Sequence, residues 1–137
     1  MIAALALGAA AIGGCKKSLE NTPESVADAF VEAYFQRMDQ RGALELTALG
    51  ATKMLEIELK EVEELRKDGF EPGAVSVSVH RGEPKPREER IRIPYEIEID
   101  NEGNKQVRQA DIELSRIDGQ WKVVRVGVSS KDSKTAM

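Results

Sequence analysis

At Pro72-Gly73 the spacing of apolar residues changes from a helical repeat to strict alternation, and this change constrains the fold more than any other feature. Before it, Val26, Phe30 and Tyr34 recur every four residues, and Ala27, Val31, Phe35 and Met38 widen the stripe. After it, Val75, Val77 and Val79 alternate with Ser76, Ser78 and His80, and Ile91, Ile93, Tyr95, Ile97 and Ile99 alternate with polar residues and Pro94. Alternation of this kind marks strands with one dry and one wet face. Helices first and strands after imply an α+β domain, with N-terminal helices packed on one face of a four-stranded antiparallel sheet.

The helical half reads as three segments. Thr22 caps the first, Pro23 suits its first position, and Glu24 favours the positive end of the dipole. It runs to about Gln40, where Gly42 breaks it. Residues 43–49 form a short second helix closed by Gly50, and the third runs from about Thr52 to Gly69, with Leu55, Leu59 and Val62 along one face. In the second half, residues 81–90 read as a loop because two prolines and a glycine fall together. Pro94 lacks a ladder donor, which predicts an edge or a bulge there. Residues 100–104 and Asp118-Gly119 are hairpin turns, and Ala110, Ile112 and Leu114 make the strand between them. The last strand starts in the phase of Trp121 and Val123 and continues in that of Val124, Val126 and Val128, so a bulge is expected.

Residues 1–14 are uncharged and dominated by small and aliphatic side chains, and they lead to Ile12-Gly13-Gly14-Cys15 and then Lys16-Lys17. The apolar stretch is too short to cross a bilayer, which takes about 20 residues, and it fits the core of a signal peptide. The tetrapeptide resembles the lipobox of bacterial lipoproteins. That resemblance implies a signal peptide over 1–14 and a lipidated Cys15 with a tether over 15–21; the periodic stretch then makes a domain over 22–128, and the polar residues 129–137 read as a disordered tail. It implies a membrane partner through the lipid anchor and a place in the cell envelope outside the cytoplasm. Lys16, where retained lipoproteins of enteric-type bacteria often carry aspartate, points to the outer membrane.

A second resemblance rests on Thr22-Pro23-Glu24-Ser25-Val26 with Phe30, on Ala110-Asp111-Ile112-Glu113-Leu114, and on Asp118-Gly119-Gln120-Trp121-Lys122-Val123. With the element order, these residues resemble the nuclear transport factor 2-like superfamily, and more narrowly small lipoproteins grouped with lumazine-binding-like domains. The resemblance covers most of residues 20–128. It implies a cone of curved sheet and helices, and no particular activity, because a fold hosts many functions.

Composition excludes more than it assigns. A net charge of −4 argues against nucleic acid. A single cysteine permits no intrachain disulfide, and the single histidine, His80, has outward parity. By parity the inward sheet face is apolar except for Tyr95, and Arg125 joins it only if the bulge falls after that residue. The acidic residues of the third helix alternate with lysine and arginine, as on a solvated face, and no calcium-loop spacing occurs. The expectation is a domain with no catalytic residues, metal or cofactor. Tyr34, Tyr95, Trp121 and Arg125 are the residues expected to line a pocket for a small apolar ligand or an envelope partner. The alternative is an unrecognised or degenerate enzyme of the cone superfamily, of isomerase or dehydratase type.

Overall fold

The computed structural model describes residues 20–69 and 75–130. Thr22 accepts the Ser25 N–H at 3.1 Å and opens α1, Pro23–Val31, with proline in its first turn. The chain then widens into a π-helical turn, Glu32–Gln36, in which Arg37 N–H donates to the Glu32 carbonyl. The first helix therefore stops at Gln36, short of the expected Gln40. Met38 turns the chain through positive φ, and Asp39 caps α2, Gln40–Leu44, by accepting the Gly42 N–H. Gly42 thus lies inside a short helix and breaks none. Glu45 and Leu46 form a turn, Thr47 bridges to Val123, and α3, Leu49–Lys67, begins three residues before the expected Thr52, with Gly50 in its first turn. Gly69, at φ +87, ends it in the conformation glycine takes most readily.

The sheet contains β1 Ser76–Arg81, β2 Lys85–Arg87, β3 Arg90–Asn101, β4 Asn104–Ile117 and β5 Gln120–Ser130. All strand pairs are antiparallel, in the order β1-β3-β4-β5, and β2 follows β1 along the same edge of β3. The four expected strands are present with one addition. Residues 85–87, expected in a loop, pair with β3, because proline is tolerated on an edge strand. The last strand reaches Ser130, two residues into the expected tail.

Pro94 explains the break between β1 and β2. Its carbonyl accepts the Gly82 N–H at 2.7 Å, so its missing N–H faces the same edge. Arg81 pairs with Tyr95 and Lys85 with Arg92, so three edge residues oppose two of β3. The bulge expected at Pro94 sits instead in the adjacent edge segment between β1 and β2, and β3 itself is internal with unbroken parity. Ile93, Tyr95 and Ile97 are all buried.

A second bulge lies in β5. Glu113 pairs with Arg125 and Leu114 with Val123, which leaves Val124 as the extra residue, and both valines are buried. At this point Val123 exchanges backbone hydrogen bonds with Leu46 and Ala48. The bulge therefore lets the edge of β5 receive the segment between α2 and α3. The core lies between the helices and one sheet face. Phe30, Leu55, Ile93, Ile97, Ile112 and Leu114 are its largest fully buried side chains.

Candidate functional site

The helix-covered sheet face leaves an apolar groove of about 460 Å³ where the π-helical turn and the end of α3 stand over β1 and β3. Tyr34, Phe35 and Met38 form one wall, Val62 and Leu65 the second, and Val77, Ile97 and Ile99 the floor. The wider π turn supplies the first wall. Tyr34 stacks on Phe30 with centroids 5.4 Å apart, and Phe35 meets Tyr34 edge-on at 4.8 Å. Both rings are half-buried and reach the groove. Such π segments often occur at functional sites. Six large apolar side chains are exposed among the described residues, and three of them, Met38 at 42%, Leu65 at 48% and Val75 at 38%, converge here. Convergence of exposed apolar surface on one concavity marks a binding site more than scattered exposure does.

Polar groups rim the groove at defined points. The Tyr34 hydroxyl donates to Glu58 on α3, with both carboxylate oxygens at 2.8 Å. Burial, then the hydrogen bond to Glu58 and that residue's charge, push the Tyr34 phenol well above its ordinary range. Arg41 pairs with Glu63 nearby. Gln40 and Arg66 complete the lining.

The four residues expected to share a pocket are dispersed. Only Tyr34 lines the groove. Tyr95 is buried in the core at 2% exposure, with its hydroxyl directed at Asp28. Trp121 is half-buried at the β4–β5 hairpin end, beneath the Arg116 guanidinium at 5.3 Å from the ring centroid. There its backbone N–H donates to Asn21 Oδ1 at 2.6 Å. It borders a smaller hollow with Pro86 and Ile91. Arg125 follows the bulge, so it faces the opposite side of the sheet and is exposed. Cys15 lies outside the described residues.

Partial exposure of Trp121 lowers what its removal should cost. Full burial would imply about 3–5 kcal/mol for Trp121→Ala. With one side open and the cation–π contact at the surface, the expected loss is about 1–2 kcal/mol, read from a denaturant melt.

One polar constellation on the inward face was not anticipated. Asp28, on α1, accepts from Tyr95 at 2.5 Å through one oxygen and from Arg81 at 2.6 Å through the other. Arg81 faces inward because it pairs with Tyr95, and it continues the phase of Val77 and Val79. Extending the alternation of β1 by one residue would have found it. Asp28 carried no such signal, because it sits between Val26 and Phe30 at the edge of the apolar stripe. Burial, and then the Asp28 hydrogen bond and charge, raise the Tyr95 phenol strongly, and Arg81 opposes them.

The uncovered sheet face carries His80, Glu96 and Glu98 as parity requires, with His80 opposite Glu96. It also holds a polar hollow of about 1190 Å³ that includes Arg125. Four arginines and four carboxylates line it, Arg90 and Glu113 being 3.6 Å apart, so it offers no net charge to a ligand. Among the described residues no group of three or more His, Cys, Asp or Glu side chains is placed to hold a metal ion. No helix among them is long and apolar enough to cross a membrane.

Solved structures share this architecture. A calcium/calmodulin-dependent protein kinase type II association domain from Thiobacillus denitrificans superposes with a TM-score of 0.57 at 14% identity, over 82% of this chain and 97% of that one. A designed protein bearing the NTF2 name superposes with a TM-score of 0.52 at 12% identity, over 73% of this chain and 90% of that one. The fold is nuclear transport factor 2-like. At such identities the likeness establishes fold and nothing of activity. No protein-family model and no curated protein matches the sequence.

Proposed function

We propose that the chain is a cell-envelope lipoprotein, anchored through an acylated Cys15 in the outer membrane, whose cone domain binds a small apolar ligand and performs no catalysis. The apolar groove carries this reading, with Met38, Leu65 and Val75 left exposed around it. A site of about 460 Å³ with apolar walls and few polar groups matches the usual character of small-molecule pockets. The anchor rests on the lipobox at Ile12-Gly13-Gly14-Cys15.

Two measurements test the two halves. Radiolabelled palmitate is expected to enter the wild type and not Cys15→Ser, and equal labelling of both removes the anchor. An apolar fluorescent dye is expected to bind the wild type about tenfold more tightly than Leu65→Glu, which loses the burial of a leucine on ligand binding. Leu65 is exposed, so the variant should keep the circular dichroism of the wild type. Equal dye affinity removes the groove as the site.

A second reading, an isomerase- or dehydratase-type enzyme, draws on the Asp28 constellation. Asp28 is the carboxylate hydrogen-bonded to inward-facing sheet residues, and half of its side chain is accessible. Both of its oxygens are occupied, one by Tyr95 and one by Arg81, and the trio joins α1 to the sheet. A general base must reach a substrate proton, so Asp28 would first have to release a partner. The trio therefore favours a structural clamp.

A further inference from the structure

We infer that the ligand of this groove is an amphiphile with an apolar body and one carboxylate, of the fatty-acid class, held by Arg66 and Gln40. This rests on the groove being the binding site and adds the chemistry of its occupant.

Two observations independent of the apolar walls carry it. The first is Gln40 Oε1, the single side-chain oxygen or nitrogen among the described residues that is fully buried without a hydrogen-bond partner. Buried polar atoms are almost always paired, and an orphan of this kind calls for a partner. Gln40 lines the groove, and because its Oε1 is shut off, the amide atom it can turn to a ligand is Nε2, which donates to a carboxylate oxygen. The second observation is Arg66. It lines the same groove from the last turn of α3, and its guanidinium has no carboxylate within salt-bridge distance among the described residues. An unpaired guanidinium beside an apolar cavity suits a carboxylate, which it can bind with two parallel hydrogen bonds.

The remaining rim selects against other ligands. Glu58 is engaged by the Tyr34 hydroxyl and Glu63 by Arg41, so neither of these α3 carboxylates forms an ion pair with Arg66. Among the described residues no carboxylate lines the groove to receive a cationic amphiphile, and a purely apolar ligand would leave Arg66 unpaired. A single carboxylate on an apolar chain satisfies both groups while its body covers Leu65 and Val75.

The test uses cis-parinaric acid, a fluorescent fatty acid, and its methyl ester. The protein is the chain from Lys16 to Met137, which keeps every described residue and draws its core from Val26 onward. The wild-type chain is expected to bind the acid about tenfold more tightly than the ester, the usual worth of a charge-assisted hydrogen bond. Arg66→Gln is expected to weaken the acid far more than the ester and so abolish that preference. Gln40→Leu is expected to weaken the acid more than the ester and to raise the melting temperature of the free protein, because it removes the orphaned amide oxygen. If the wild type binds acid and ester equally, the carboxylate inference is overturned and the apolar groove stands. If it binds neither, the groove reading falls as well.

Discussion

Replacing Phe30 with alanine is expected to lower stability by about 3–5 kcal/mol, the range for deleting a buried aromatic side chain. Phe30 is fully buried on α1, facing the sheet among Ile93, Ile97 and Ile112 in one core cluster. The cost combines lost apolar burial with a cavity that a rigid sheet cannot close. The loss extends to the ligand groove. Tyr34 stacks on Phe30 and Phe35 meets Tyr34 edge-on, so removing the first ring loosens the aromatic wall. A urea melt reads the stability, and a fall below about 1 kcal/mol would mean that α1 does not pack as described. Leu49→Ala is the control, because Leu49 is 58% exposed and its loss should change stability by less than about 0.5 kcal/mol.

The parts of this fold visible in the sequence are those where burial and local period agree. Alternation through Ile91, Ile93, Tyr95, Ile97 and Ile99 placed the dry face of β3 correctly, because reversing it would bury Arg92, Glu96 and Glu98. The phase change between Val123 and Val124 exposed the bulge in β5 for the same reason. Thr22-Pro23 marked the start of α1 through capping chemistry that is purely local.

What escaped depends on contacts between residues distant in sequence. The π-helical turn exists where Tyr34 packs on Phe30 and Phe35 on Tyr34, beside the sheet, and no local propensity announces it. Pro84 and Pro86 suggested a loop, yet the vacant edge beside β3 accepts a short strand. Trp121 was expected to share a pocket with Tyr34, yet its position at a hairpin end leaves it half open and away from the groove. The groove was anticipated only as a gap lined by aromatic residues. Its actual lining is mostly aliphatic, and the two polar groups that specify a ligand, Gln40 and Arg66, look like ordinary surface residues until α2 and α3 are folded beside each other.

Alkaline pH is expected to unfold the protein cooperatively, with both tyrosines ionising only as the structure is lost. The chain has two tyrosines, Tyr34 and Tyr95, and both phenols are raised above the ordinary value of 10. Burial is the main cause in each, because it penalises the phenolate, and a hydrogen bond to a carboxylate adds to it. Below about pH 10 both the folded and unfolded chains keep these protons, so the stabilisation is fully present. Above it the unfolded chain releases them while the folded chain retains them. Stability then falls as pH rises, by up to about 1.4 kcal/mol per pH unit for each tyrosine until its folded-state pKa is reached. The two together can exhaust a domain stability of about 5–15 kcal/mol within a few pH units. Near-ultraviolet absorbance of the phenolates, followed beside far-ultraviolet circular dichroism, should show a single coincident transition. Glu58→Gln removes the charge that faces Tyr34 and should bring that phenol down ahead of Tyr95, splitting the absorbance change in two. A phenol that titrates near pH 10 in the wild type with the circular dichroism intact would show that at least one hydroxyl stands in water, against the contacts with Glu58 and Asp28.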